Sequence, residues 1–101
     1  MIFRHVVQMT WKREPSEEDL ALFKKVHDDL GAQAPTVRAF SHGPDAGVRP
    51  GGANWALVAD FDDAEGWQAY GKHPAHDVVR ETLKDLDLVG GISVVQYWTE
   101  K

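Results

Sequence analysis

Three residues in the second half of the chain have side chains and spacing suited to proton transfer. His73 and His76 stand in the segment His-Pro-Ala-His, and Tyr70 precedes His76 by six residues. An imidazole ring with a pKa of about 6.5 takes up and returns a proton near neutral pH. A tyrosine hydroxyl can polarise a carbonyl. Because the break at Gly71-Lys72 allows Tyr70 and His76 to converge, we interpret these two as candidate catalytic residues.

The same residues also have a structural interpretation. His73 can cap a helix that starts at Pro74, His76 can be a hydrogen-bonded, half-buried histidine, and Tyr70 can pack its ring with its hydroxyl in water. Imidazoles also bind Zn, Cu or Ni, but no carboxylate stands at a diagnostic spacing from the two histidines. We therefore expect no metal and no cofactor.

The composition excludes several other kinds of chemistry. The chain has no cysteine, so a thiol nucleophile, a thiolate metal site and a disulfide scaffold are absent. With 11 Lys and Arg against 16 Asp and Glu the net charge is -5, and nucleic acid is not an expected partner. The apolar runs are far shorter than the roughly 20 residues that span a bilayer, and no signal-like segment opens the chain. We expect one cytoplasmic domain over residues 1–101, with no membrane contact.

The N-terminal elements place a third histidine in an apolar setting. Residues 1–11 alternate as in a strand, and His5 belongs to the more apolar face. Ser16 is a natural N-cap for a helix that must end before Pro35. Five apolar residues recur there at steps of three or four, with His27 at the border of their stripe: Leu20, Phe23, Val26, Leu30 and Ala34.

The remaining elements complete a recognisable order. Strands are predicted over residues 36–43, 54–61 and 92–99, with a Pro- and Gly-rich loop over residues 44–52. A short helix starts at Asp62 or Asp63 and ends at Gly71, and a further helix runs from Pro74 to the stop at Gly90-Gly91. This order predicts an α+β, ferredoxin-like βαββαβ fold with a four-stranded antiparallel sheet and both helices on one face.

The other face of that sheet needs a cover. Val6, Val58 and either Val94 or Val95 cannot all point to the helices. A two-fold dimer that packs sheet against sheet is the economical arrangement. We therefore expect a homodimer.

Three segments resemble a known family. They are FRHVVQMTWK at residues 3–12, ANWALVADFDD at residues 53–63 and, most specifically, AYGKHPAH at residues 69–76. In this order they resemble the stress-responsive dimeric alpha/beta barrel (Dabb) family, which includes plant polyketide cyclases of the olivetolic acid cyclase type. The resemblance implies a dimeric α/β barrel and a pocket between helices and sheet, where a histidine and a tyrosine perform acid–base chemistry without a cofactor.

The resemblance also implies roles for individual residues. The catalytic histidine falls on His76, its tyrosine partner on Tyr70, and the histidine of the first strand on His5. His27 stands where the plant cyclase has an aromatic hydroxyl, which implies a different substrate or no substrate of that type. The expected ligand is a small carbonyl or aromatic polyketide compound, and six further residues are expected to line its pocket: Val7, Met9, Phe23, Phe40, Leu57 and Ala59.

Three functional hypotheses remain open at this stage. The first is cofactor-independent acid–base catalysis of the aldol type, and the second is a non-enzymatic ligand-binding or stress-associated dimer. A cavity of a few hundred cubic ångströms with Tyr70 and His76 on its wall would favour the first. The third is a cofactor-independent or haem-linked monooxygenase of the wider dimeric barrel superfamily. Asn54-Trp55 suggests it, but neighbouring strand residues point to opposite faces.

Overall fold

The computed structural model describes residues 1–100 and contains four strands and three helices. Their bounds are β1 (Ile2–Trp11), α1 (Glu17–Gln33), β2 (Ala39–Pro44), β3 (Trp55–Phe61), α2 (Ala64–Lys72), α3 (Pro74–Leu86) and β4 (Val89–Thr99). This is the predicted order, with the second helix of the βαββαβ pattern divided into α2 and α3.

The strands form one antiparallel sheet in the order β2-β3-β1-β4. His5 in the middle of β1 lies opposite Ala59 of β3 and Gln96 of β4. The helices cover the face that carries His5 and Ala59, where strand residues share a buried cluster with Leu30 of α1 and Val79 of α3. The predicted α+β ferredoxin-like fold is therefore confirmed.

Local sequence signals explain where the helices begin. Ser16 and Asp19 form a capping box in which each side chain accepts a hydrogen bond from the other residue's backbone amide. The Asp63 side chain accepts from Gly66 N at the start of α2. His73 Nδ1 accepts from Ala75 N at 3.0 Å, and Pro74 occupies the first position of α3.

Several predicted boundaries differ from the structure. The second strand begins at Ala39 rather than at residue 36, because Thr36 turns towards α2 and its hydroxyl donates to Gly66 O at 2.7 Å. Helix α3 ends at Leu86 rather than at Gly90-Gly91, because Asp87 adopts a left-handed conformation with φ of 52°. Both glycines lie instead within β4.

The short helix α2 also extends past its predicted end. It includes Gly71 and ends at Lys72, so Gly71 does not terminate it. The chain turns at His73, whose backbone amide donates to Tyr70 O. This single residue is both the C-cap of α2 and the N-cap of α3, and the two helices meet without a loop.

The sheet face away from the helices carries exposed apolar side chains. Val95 lies opposite Val6 on this outer face, whereas Val94 lies opposite Val7 on the helix face. Val95 is 59% exposed, and Tyr97 beside it is also exposed. The sequence left open whether Val94 or Val95 belongs to the outer face, and the structure places Val95 there. No helix within residues 1–100 is long and apolar enough to cross a membrane.

Candidate functional site

A cavity of about 290 Å³ lies between the helix face of the sheet and the three helices. It brings together seven of the predicted site residues, namely His5, Val7, Met9, His27, Leu57, Tyr70 and His76. Its wall is completed by Leu30, Trp67, Gly71, Val79, Arg80, Leu83, Ile92 and Val94. Polar groups from β1, α1, α2 and α3 therefore converge on one largely apolar space.

Three predicted lining residues lie outside this wall. Phe23 is fully buried in a second apolar cluster with Trp55 and Met9. Phe40 packs over Gly31 of α1, and Ala59 is enclosed in the main core. These three residues pack behind the elements that form the cavity and do not line it.

The junction of α2 and α3 brings Tyr70 and His76 together. Tyr70 lies in the last turn of α2 and His76 in the first turn of α3, on either side of the shared cap His73. Their ring centroids are 5.1 Å apart and the rings meet edge to face at 84°. The continuous turn between the two helices therefore produces the proximity that the sequence suggested.

His76 is held without a hydrogen bond to its buried ring nitrogen. Among the buried side-chain nitrogen and oxygen atoms of residues 1–100, its Nδ1 is the one that has no partner. Burial lowers the pKa of His76, and the charge of Arg80 lowers this pKa further. The nearby backbone of His76 and the carboxylate of Asp77 oppose the shift. The ring is therefore neutral at pH 7 and can accept a proton.

Tyr70 supplies a neutral hydroxyl. The residue is 3% exposed, and burial raises the pKa of its hydroxyl to about 12. Burial is the sole cause of this shift, because no charged neighbour contributes to it. A buried hydroxyl in this state keeps its proton at neutral pH and can donate it to a ligand oxygen.

His5 has a defined proton position. The Gln96 side-chain amide donates to His5 Nδ1 at 2.9 Å, which leaves the ring proton on Nε2. Burial lowers the pKa of His5, and His76 contributes to the same shift. The ring of His5 also packs against Trp67 and Tyr70, with centroid distances of 5.8 and 6.2 Å. His5 is thus a neutral, oriented hydrogen-bond donor.

His27 has the opposite arrangement of donor and acceptor. Its Nδ1 donates to Phe23 O at 2.7 Å, so its Nε2 carries a lone pair. Burial lowers the pKa of His27 to about 4, and the residue is 3% exposed. Behind it, His42 Nδ1 accepts from Trp55 Nε1 and its Nε2 contacts Asp28. The cavity therefore combines neutral donors and a neutral acceptor.

Other residues singled out by sequence have structural positions. The Asn54 side-chain oxygen accepts from Trp11 N, and neither Asn54 nor Trp55 lines the cavity. No group of three His, Cys, Asp or Glu side chains in residues 1–100 is placed to hold a metal ion.

Sequence reasoning missed several residues of the wall. Arg80 follows His76 by four positions on α3, and this spacing places it on the same helix face. Ile92 and Val94 alternate along β4, so they share the face of Gln96. The spacing therefore indicated which residues share a face with His76 or Gln96. Many other residues have similar spacing, and only the packing of α3 against the sheet shows that these three line the cavity.

Comparison with known proteins identifies a family and a set of structural relatives. A family model described as Stress responsive A/B Barrel Domain matches residues 3–98. Comparison with the curated proteins finds no match.

Solved structures with the same fold cover nearly all of the chain. A dimeric ferredoxin-like protein of unknown function from Thermobifida fusca has 25% identity and a TM-score of 0.85, covering 96% of this chain and 90% of that chain. A dimeric protein of unknown function from Bacteroides fragilis has 26% identity, a TM-score of 0.77 and coverages of 95% and 94%. A hydroxynitrile lyase from Passiflora edulis has 21% identity, a TM-score of 0.77 and coverages of 99% and 94%.

Proposed function

The chain belongs to the stress-responsive A/B barrel domain (Dabb) family, and we propose that it is a homodimeric enzyme performing cofactor-independent acid–base chemistry on a small carbonyl compound. The observation that carries this proposal is the Tyr70–His76 pair, whose rings are 5.1 Å apart on the wall of one cavity. His76 Nδ1 has no hydrogen-bond partner in residues 1–100, whereas the Nδ1 atoms of His5 and His27 each have one.

The proposed reaction begins with proton removal. The neutral ring of His76 takes a proton from carbon next to the substrate carbonyl, or by way of a phenol, and becomes an imidazolium. The electron pair moves to the carbonyl oxygen, where the Tyr70 hydroxyl donates a hydrogen bond to the developing enolate. If the reaction is an intramolecular aldol closure, the enolate carbon forms a bond to a second carbonyl carbon. The resulting alkoxide then receives the proton back from His76.

The other cavity residues bind and orient the substrate in this proposal. His5 donates through Nε2, and His27 accepts through Nε2, because their second nitrogens are held by Gln96 and Phe23 O. Val7, Met9 and Leu57 supply apolar contact and exclude water, which strengthens the hydrogen bonds to the enolate. Phe23 and Phe40 contribute indirectly, by packing behind this wall.

The exposed outer sheet face supports the dimer. Val6, Val58, Val95 and Tyr97 project from it, and an apolar patch on a small domain is stabilised by a partner. The Thermobifida fusca and Bacteroides fragilis proteins with this fold are described as dimeric. Two copies that pack sheet against sheet would cover the patch on both chains and leave the two cavities on opposite sides.

Deuterium exchange tests the proton-transfer step without knowledge of the natural substrate. The α-hydrogens of phenylacetone and acetophenone are followed by proton NMR in D2O, with and without protein. The wild type should accelerate exchange above the buffer rate, and His76→Ala should reduce the acceleration by roughly 100-fold or more. Tyr70→Phe should reduce it by roughly 100-fold, because the enolate loses its hydrogen-bond donor.

A matched histidine variant controls for general effects of substitution. His73→Asn removes the neighbouring imidazole but retains a side chain that caps α3 well, so exchange should remain at the wild-type rate. Folded His76→Ala and Tyr70→Phe proteins that exchange at the wild-type rate would contradict the mechanism. A wild type that never exceeds the buffer rate would favour a non-enzymatic ligand-binding dimer.

A further inference from the structure

The cavity wall carries one permanently charged side chain. Arg80 lines the cavity from α3, one helical turn after His76, and no Asp, Glu or Lys is among the lining residues. The chain as a whole has a net charge of -5, so a cation at this position runs against the overall balance. We propose that Arg80 binds a carboxylate of the substrate, which makes the substrate class small carbonyl compounds that carry a carboxylate group. This inference rests on the proposed function, because it assigns a substrate class to the same site.

Arg80 is incompletely used by its protein partners. Its Nη1 donates to Asp77 Oδ1 at 2.7 Å and its Nη2 donates to Gly71 O at 2.6 Å. Its Nε has no partner within residues 1–100. A guanidinium offers five N–H donors, so Arg80 retains unused donors at the edge of the cavity.

Two other arginines show what a two-point contact with one carboxylate looks like in this protein. Arg4 binds Asp60 through both Nε and Nη2, and Arg38 binds Asp62 in the same two-point manner. Planar two-point contacts of this kind are the strong form of carboxylate recognition by arginine. Arg80 makes no such contact: its Nε has no partner within residues 1–100, and each Nη, which already donates once, has a second N–H.

The existing contact to Asp77 is easily exchanged. The side chains of Arg80 and Asp77 are 53% and 66% exposed, and they form an i,i+3 pair on the helix surface. Exposed pairs of this kind contribute little to stability, because water and salt screen them. A substrate carboxylate could therefore join or replace Asp77 at small cost, while the contact to Gly71 O keeps Arg80 beside the cavity.

The position of Arg80 also couples binding to catalysis. Its charge is close enough to His76 to lower the pKa of that ring. A bound carboxylate would offset this charge and make His76 a stronger base when the substrate is present. The same arginine would thus bind the anionic substrate and influence the pKa of His76, the proposed base.

A matched pair of ligands tests this inference. Isothermal titration calorimetry is carried out with 3-benzoylpropionate and with its uncharged amide, 4-oxo-4-phenylbutanamide. The wild type should bind the acid roughly tenfold more tightly than the amide, a modest preference because Arg80 is half exposed. Arg80→Gln should abolish the preference, because the acid loses roughly tenfold in affinity relative to the amide, whereas Arg80→Lys should retain part of it.

Asp77→Asn provides the matched control on the same helix. It removes the competing carboxylate and should increase the preference for the acid, whereas loss of a merely structural contact would not. Wild-type protein that fails to favour the acid, including one that binds neither compound, would overturn the inference, as would an unchanged preference in Arg80→Gln. Failure of the proposed function is distinguishable, because deuterium exchange would then be absent while the acid preference persists.

Discussion

His27 should make the folded protein sensitive to acid. Burial lowers the pKa of the His27 ring to about 4, against the opposing effect of the hydrogen bond from its Nδ1 to Phe23 O, so the folded state holds the ring neutral at pH 7. In the unfolded chain the same ring has an ordinary pKa of about 6.5. The unfolded state therefore binds more protons between these two values, and the free energy of unfolding must fall as the pH falls.

The size of the effect follows from the two pKa values. Each unit of difference corresponds to about 1.4 kcal/mol. The stabilisation from neutral His27 is fully present above pH 6.5 and is progressively lost towards pH 4. Proton linkage gives a loss of about 2 kcal/mol at pH 5 and about 3 kcal/mol at pH 4, relative to neutral pH.

Urea unfolding at pH 7.5, 6, 5 and 4, followed by tryptophan fluorescence at one protein concentration, measures this loss. His27→Gln removes the titrating ring and should flatten the pH profile by these amounts. The neighbours His42, His76 and Asp28 are present in both proteins, so the difference between the two pH profiles reports on the loss of the His27 ring. Parallel profiles for wild type and His27→Gln would refute the reasoning.

Further predictions concern packing and assembly. Gly31→Ala should lower the free energy of unfolding by about 1–3 kcal/mol, because its Cβ would lie 2.3 Å from the Phe40 ring. Gly71→Ala, with nothing within 4 Å of its Cβ, should raise it by up to about 1 kcal/mol, and similar urea midpoints for both variants would contradict this contrast. Val95→Lys places a charge on the outer sheet face and should convert the proposed dimer to a monomer in light scattering, whereas an unchanged mass would contradict sheet-to-sheet packing.

Local signals were sufficient to predict the fold. The alternation in residues 1–11 correctly placed His5 on the helix face, because the side chains of a strand alternate by geometry alone. The Ser16 cap and the Pro74 helix start were also visible in the sequence, since both depend on neighbouring residues. Helix ends were less predictable. Asp87 adopts a left-handed conformation that glycine would have signalled, and no glycine stands there.

The candidate site was only partly accessible from the sequence. Tyr70 and His76 are close in the chain, and the break expected at Gly71-Lys72 was enough to suggest that they meet. They do lie together, but the chain turns at His73 instead. The family resemblance implied that Phe23 and Phe40 line the same pocket. The structure directs Phe23 towards Trp55 and Phe40 towards Gly31, and their place in the core depends on how α1 is rotated against the sheet.

The sequence by itself determined the types of residues, the faces of the strands and the starts of the helices, because these depend on spacing over a few positions. Tertiary structure decided which side chains share one space. His5 and Gln96 are separated by 91 positions yet form one hydrogen bond, which requires the β1–β4 register. Arg80 became a candidate binding residue only when α3 packed against the sheet beside a cavity that carries no acidic side chain. Such long-range contacts follow from the packing of the whole core, and no local pattern encodes them.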